Sequence, residues 1–339
     1  MIDLRSDTVT HPTSAMRRAM AEAVVGDDVY GDDPTVNRLQ AEAAQLTGHE
    51  DALLVVSGTM GNQLALMAHT DRGDEVILDE QCHIIGHEVG APAVLSGVNL
   101  RALPSRRGCM SPEDVRRAFR DPDDIHVPRS RLFCLENAHS TGTVPPLSYM
   151  REMSALAREL GLAVHLDGAR LFNAAAVLKR DPSELAQCAD SVMFCLSKGL
   201  CAPVGSMLCG NRAFIAKARK YRKLLGGGMR QAGILAAAGL LAISPEMRGR
   251  LEEDHENARR LYSGLSGLFS SMRAPDINMV YFSLADSGIS PESLINAFAA
   301  ADILFNPPSA SGEVRLVTHH GVSAADINKV IEVIRSAAP

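Results

Sequence analysis

The chain has 339 residues, 46% of them hydrophobic and 22% charged, with a net charge of −6. That length exceeds one ordinary core and suits one large and one small domain, and the composition excludes a disordered chain. The acidic balance leaves no basic footprint for nucleic acid, and no apolar run reaches the ~18 residues of a membrane helix.

In chain order, the N-terminus reads MIDLRSDTVT, whose alternating charges exclude a signal-peptide core. It is too short to fold alone and is grouped with the large domain. Candidate strands follow at Ala52–Ser57, Glu75–Asp79, Arg131–Glu136, Ala163–Asp167, Ser191–Leu196 and Ser206–Gly210. Several are apolar without alternation, as in strands buried on both faces. Between them helical patterns run over Asn62–His69, Ser111–Phe119, Leu147–Leu160 and Pro182–Cys188, two with Ser-Pro or Pro-Ser openings. This alternation predicts an α/β domain with a mainly parallel sheet. The basic run Lys217, Arg219, Lys220, Arg222, Lys223 reads as a solvated helix face, and Gly233 to Ile243 as a buried helix.

After about Ser244 the pattern changes. A charged helix over Met247–Leu265, strands at Asn278–Leu284, Leu304–Asn306 and Val314–Thr318, and helices from Pro291 and Ala324 predict a smaller α+β domain. The division is placed at 1–246 and 247–339. Seven scattered cysteines show no CxxC or Cys/His metal spacing, so no metal site is expected, and a reducing cytoplasm is the simplest compartment.

Five of the predicted strands run into polar residues: Ser57-Gly58-Thr59, then Asp79 with His83, Glu136-Asn137, Asp167 with Arg170, and Ser197-Lys198. Open α/β sheets bind ligands beyond the carboxyl ends of their strands. SGTMGN at 57–62 joins a strand to a helix, and its glycines and helix start suit a phosphate, though an ordinary βα turn reads the same way. It is neither a P-loop nor GxGxxG. Asp167 closes an apolar strand and needs a partner; a pyridinium N–H is one, and its pairing with Arg170 is the bland alternative. Lys198 follows six largely apolar residues and precedes a small-residue turn, a setting in which lysine amines form Schiff bases.

With Asp167 and Lys198 placed, the sequence resembles the fold-type I, aspartate aminotransferase-like enzymes of pyridoxal 5′-phosphate (PLP), and specifically the L-threonine aldolase family of low-specificity and L-allo-threonine type. The likeness begins with LRSDTVTHPT at 4–13 and GDDVYGDDPTVNRLQ at 26–40. It continues through SGTMGN, HLDGARLFNAA, CLSKGLCAPVGS, GGGMRQAGILAAAG and VRLVTH. It implies a lyase that splits a β-hydroxy-α-amino acid into glycine and an aldehyde. Lys198 would carry PLP with Ser197 beside it, Asp167 would face the pyridine nitrogen, and His83 would stack on the ring. Ser57, Gly58 and Thr59 would hold the phosphate. Ser6, Arg170 and Arg315 would bind the substrate carboxylate. Tyr30, Lys223 and Arg230 match positions that reach the site from a neighbouring chain, which implies a homodimer unit paired into a homotetramer.

A base must take the β-hydroxyl proton, and His83 and His126 are the candidates, with His87 near them. His87, in HIIGHE, stands where the family often has an aromatic residue, and Cys201, in SKGLCAP, where it often has Gly. Another PLP reaction on the same scaffold, such as β-elimination, racemisation or transamination, is the first competing reading. A binding protein without turnover is the second; it would lack Lys198, Asp167 or the arginines, and all are present.

Overall fold

The computed structural model describes residues 1–285 and 287–338. Among them the strands are β1 (Ile2–Asp3), β2 (Asp51–Val55), β3 (Glu75–Asp79), β4 (Asn99–Leu103), β5 (Ser105–Arg106), β6 (Cys109–Met110), β7 (Ser130–Glu136), β8 (Ala163–Asp167), β9 (Ser191–Cys195), β10 (Ser206–Gly210), β11 (Met279–Ser283), β12 (Ile303–Leu304) and β13 (Glu313–Val317). Seven form one sheet in the order β2-β10-β9-β8-β7-β3-β4. The pairs β4·β3, β3·β7, β7·β8 and β8·β9 are parallel, and β10 is antiparallel to both β9 and β2. Six strands therefore run one way and deliver their carboxyl ends to one edge, with β10 alone reversed.

The six strands read from apolar runs are all present. Every residue of β3, β9 and β10 is buried, as expected where helices cover both faces of a sheet. The seventh, β4, escaped the sequence reading because it is a half-exposed edge strand, NLRAL, with a charge in its middle. Local chemistry sets the helix ends. Ser111 and Asp181 cap Pro112–Ala118 and Pro182–Ala186 by accepting the Glu113 and Ser183 N–H, and both helices carry proline in the first turn. Asp33 opens Pro34–Thr47, and Gly48, at φ 70°, closes it in the left-handed conformation.

A second core gathers Leu261, Leu265, Val280, Phe282, Phe298, Leu316, Ile327 and Ile334. It is built from β11 paired with β13 and from the helices Leu251–Leu265, Pro291–Ala300 and Ala324–Ser336. The first residues of the N-terminal segment pack here, whereas its Asp7 and Thr10 bond to Arg170 and Lys198 of the large domain. β1 pairs in parallel with β12, and Ile2 and Leu4 are buried in this core. Two apolar residues in a five-residue stretch cannot choose between cores from sequence. The single charged helix expected over Met247–Leu265 is two, Pro245–Gly249 and Leu251–Leu265, meeting at Arg250. Leu251 packs in the large core and Leu261 in the small one, so the second helix ties the cores together.

Candidate active site

The carboxyl ends of β8 and β9, adjacent parallel strands, carry Asp167 and, three residues beyond Cys195, Lys198. Lys198 is half-buried, as is Ser197. The lysine backbone is pinned from both sides. Thr10 Oγ1 donates to its carbonyl at 2.8 Å, as does the Cys201 N–H at 2.9 Å, and Arg250 Nη2 donates to the Gly199 carbonyl at 2.9 Å. Cys201 is fully buried with φ at 65°, a left-handed conformation that explains why glycine suits this position.

Asp167 is buried. Its Oδ1 accepts the Ala169 N–H at 3.0 Å and its Oδ2 accepts from Asn62 Nδ2 at 2.7 Å. The same Nδ2 donates to Glu88 Oε1 at 2.7 Å, and Gln63 Nε2 donates to Glu88 Oε2. Glu88 Oε1 also takes His83 Nδ1 at 2.8 Å. That bond, the largest cause, raises the His83 pKa above the usual histidine value despite partial burial, with the charges of Asp167 and Glu88 assisting. Because a carboxylate only accepts, Nδ1 carries a proton, and Nε2 has no hydrogen-bond partner among the described residues. His83, Glu88 and Asp167 present polar atoms within 4.8 Å of one another, and hydrogen bonds to Asn62, Gln63 and Ala169 already engage the two carboxylates.

A second acid lies beneath His83. The His83 N–H donates to Glu136 Oε2 at 2.9 Å, and Ser140 Oγ donates to the other oxygen. Burial first, then the Asp167 charge, raises the Glu136 pKa. His139, also buried, has Nε2 3.3 Å from Asp79 Oδ2 and 3.9 Å from Glu136 Oε2. These acids hold its pKa up against desolvation, the largest and opposing cause.

The helix Gly58–His69 starts at this edge. Ser57 Oγ accepts the Met60 N–H and the Ser57 carbonyl accepts that of Gly61, while the leading N–H groups of Gly58 and Thr59 have no partner among the described residues. Gly61 does not serve ligand approach as expected: a Cβ there would lie 2.5 Å from Met193 Cγ, so its role is close packing of the helix on β9.

Arg170, its side chain only 10% exposed, is bound to Asp7, Nε to Oδ2 and Nη2 to Oδ1, both at 2.7 Å. Its expected alternative partner, Asp167, is held by Asn62 instead. Only Nη1 of Arg170 remains for a ligand. Desolvation, the largest cause, would raise the Asp7 pKa, but Arg170, with Lys198 assisting, overrides it and holds the carboxyl far below the usual range. Ser6 caps the turn carrying Asp7 by accepting the Thr8 N–H. Arg315, on β13, donates Nη2 to the Arg5 carbonyl at 3.2 Å. It lines a cleft of about 680 Å³ with His87, Ser140, Thr141 and Tyr281. Burial, then the charges of His83 and Arg315, lowers the His87 pKa. The His83 and His87 rings stand 5.4 Å apart.

The chain does not bring every candidate residue to this edge. His126 is exposed in the loop before β7, and so at the amino end of a strand whose carboxyl end carries Glu136. Tyr30, Lys223 and Arg230 make none of the hydrogen bonds or ion pairs described for Asp167 and Lys198. Tyr30 is 78% exposed, Arg230 pairs with Asp27, and Lys223 packs by Gly228. Within the basic run Arg222 is not solvated: it is buried, donating to Asp28 and to the Leu54 carbonyl. Asp7, Asn62, Glu88 and Tyr281 carry no role in the sequence reading, and Glu136 enters it only as a polar strand end. An amide pair inside an apolar helix, NQLALMAH, and an acid two residues from a glycine in HIIGHE were the available signals.

The family model for beta-eliminating lyases matches residues 3–287. The chain belongs to this beta-eliminating lyase family. It is 44% identical to the low specificity L-threonine aldolase of Escherichia coli (strain K12) over 330 residues, 97% of each chain. The fold matches the Leishmania major threonine aldolase with a TM-score of 0.84 and 22% identity, covering 100% of both chains. It also matches SPT, solved with PLP as an internal aldimine, with a TM-score of 0.77 and 20% identity over 99% of this chain and 87% of that one. This member of the family is a lyase of fold type I. No helix among its described residues is long and apolar enough to cross a membrane.

Proposed function

We propose that this lyase cleaves L-threonine, L-allo-threonine and related β-hydroxy-α-amino acids to glycine and an aldehyde, with PLP held on Lys198. The observation that carries the reading is the juxtaposition of Asp167 and Lys198 on adjacent parallel strands at one edge. The site fits PLP in three further respects. The unpartnered Gly58 and Thr59 amides, at a helix N-terminus beside the Ser57 cap, suit its phosphate. A buried carboxylate, Asp167, suits its pyridine N–H, and His83 suits its ring face. PLP supplies an electron sink for the pair of electrons released when the Cα–Cβ bond breaks.

The chain's own groups do the rest. Arg315, Ser6 and Nη1 of Arg170 bind the substrate carboxylate and set the direction of the breaking bond. His83 Nε2, with Nδ1 bound to Glu88, accepts the β-hydroxyl proton directly or through a water. His87, Ser140, Thr141 and Tyr281 shape the aldehyde side of the cleft. His126 stands at the opposite edge and could act only from a second copy. The exposed apolar residues Val24, Val29, Tyr30 and Leu224, beside Lys223 and Arg230, support a homodimer as the working unit, with pairing to a homotetramer. Seven free cysteines, six of them buried, support a reducing cytoplasm.

The test is a visible spectrum of the purified protein with PLP, and an acetaldehyde assay with both threonine isomers. A cofactor band altered in Lys198→Ala, with glycine and acetaldehyde formed, is expected. Ammonia and a keto acid in their place would move the chain to β-elimination, and no band would overturn the reading.

A further inference from the structure

Behind Asp167, four side chains form an unbroken file. His69 Nε2 lies 2.8 Å from Ser191 Oγ, Ser191 Oγ 2.9 Å from His165 Nδ1, and His165 Nε2 3.1 Å from Asn62 Oδ1. Asn62 Nδ2 then reaches both Asp167 and Glu88 at 2.7 Å. Asn62, His165 and Ser191 are fully buried. Secondary structure builds the file: His165 and Asp167 share one face of β8, His165 pairs with Ser191 across to β9, and Asn62 and His69 lie two turns apart on the helix above.

Only one placement of protons satisfies every bond. Two carboxylates can only accept, so both Asn62 amide protons are spent on them and Oδ1 must face His165. Nε2 of His165 must then carry its proton. Burial pushes the His165 pKa down to about 3, so Nδ1 is a bare acceptor for the Ser191 hydroxyl. Ser191 Oγ is left to accept from His69 Nε2. Donation runs in one direction, from His69 to the two acids, and each bond polarises the next.

We infer that Asn62, oriented by His165, is a positioning residue that holds Asp167 and Glu88 in one frame. The acid facing the cofactor's nitrogen and the acid orienting His83 are set by a single amide. This rests on the proposed use of PLP. Without the amide, two buried carboxylates face each other unscreened and one takes a proton.

The test titrates apoenzyme with PLP at several pH values, following the visible band, and records apoenzyme melting. His165→Leu and Asn62→Ala are expected to weaken PLP binding roughly tenfold or more, as for an orphaned buried polar group, and to move the band's pH midpoint. His165→Gln, which keeps a donor at the Nε2 position, is expected to stay near wild type. Ser191→Ala, too small a change to endanger folding, should shift binding in the same direction by a smaller factor. Lowered melting in every variant with wild-type PLP affinity and pH midpoint would mean a structural role only and overturn the inference. So would equal loss in His165→Gln and His165→Leu. Wild-type protein that develops no band would overturn the cofactor reading itself, whereas a normal wild-type band matched by all variants would sink this inference alone.

Discussion

Asp7 grips Arg170 across the junction of the two cores with two bonds of 2.7 Å, fixing a substrate-facing cation through a residue near the start of the chain. The pair is almost dry, with side-chain exposures of 0% and 10%. Asp7→Asn would leave Arg170 without its counter-charge, which costs about 3–5 kcal/mol for a buried pair. Urea unfolding of the apoenzyme should register that loss. The Asp7 carboxyl is held far below its ordinary value, so its share of stability is present above the unfolded carboxylate pKa and fades only as pH falls toward the folded value. Acid weakening that differs between wild type and Asp7→Asn should therefore lie below about pH 4.

The charge of Glu88 governs the protonation of His83. A base must be neutral to act, so the raised His83 pKa places the acidic limb of the kcat/KM profile above the usual histidine value. Glu88→Gln removes the anion and should move that limb to lower pH. A limb that stays in place would assign it to another group.

Cys201 occupies φ 65°, its N–H bonded to the Lys198 carbonyl at 2.9 Å and its sulfur 3.5 Å from the Gly199 carbonyl. Glycine there would relieve a left-handed strain of about 1–2 kcal/mol and lose a buried sulfur. Cys201→Gly should come out near neutral in thermal melting, and Cys201→Val, β-branched at the same angle, should be clearly destabilised.

His126 lies at the far end of β7 from Glu136, and Tyr30, Lys223 and Arg230 make no bond to Lys198 or Asp167 among the described residues. If they serve a neighbour's site, mixing Lys198→Ala chains with Lys223→Ala chains should restore aldehyde release above either alone, because some mixed sites carry both intact residues. No recovery after subunit exchange would confine catalysis to one chain.

The sheet was legible because buried parallel strands are written as short apolar runs, and the edge chemistry because Asp167 and Lys198 each close one. β4 was not, since its residues face solvent. Asn62 and Glu88 gave little local sign. Their partners lie up to 105 residues away, and an isolated amide or acid carries no periodicity. The packing of Ile2 and Leu4 in the small core gave no local sign for the same reason: the partner strand of β1 lies about three hundred residues downstream.

That last pairing sets an order of events during synthesis. β1 leaves the ribosome about three hundred residues before the strand it adds to, Ile303–Leu304. Until then Ile2 and Leu4 have no core, and Asp7 has no fixed path to Arg170. The sheet with Lys198 can assemble while the clamp on the substrate's carboxylate is still open. A contact of such long range closes late and slowly. A nascent chain stalled before residue 303 should thus hold a formed sheet and an unfinished site.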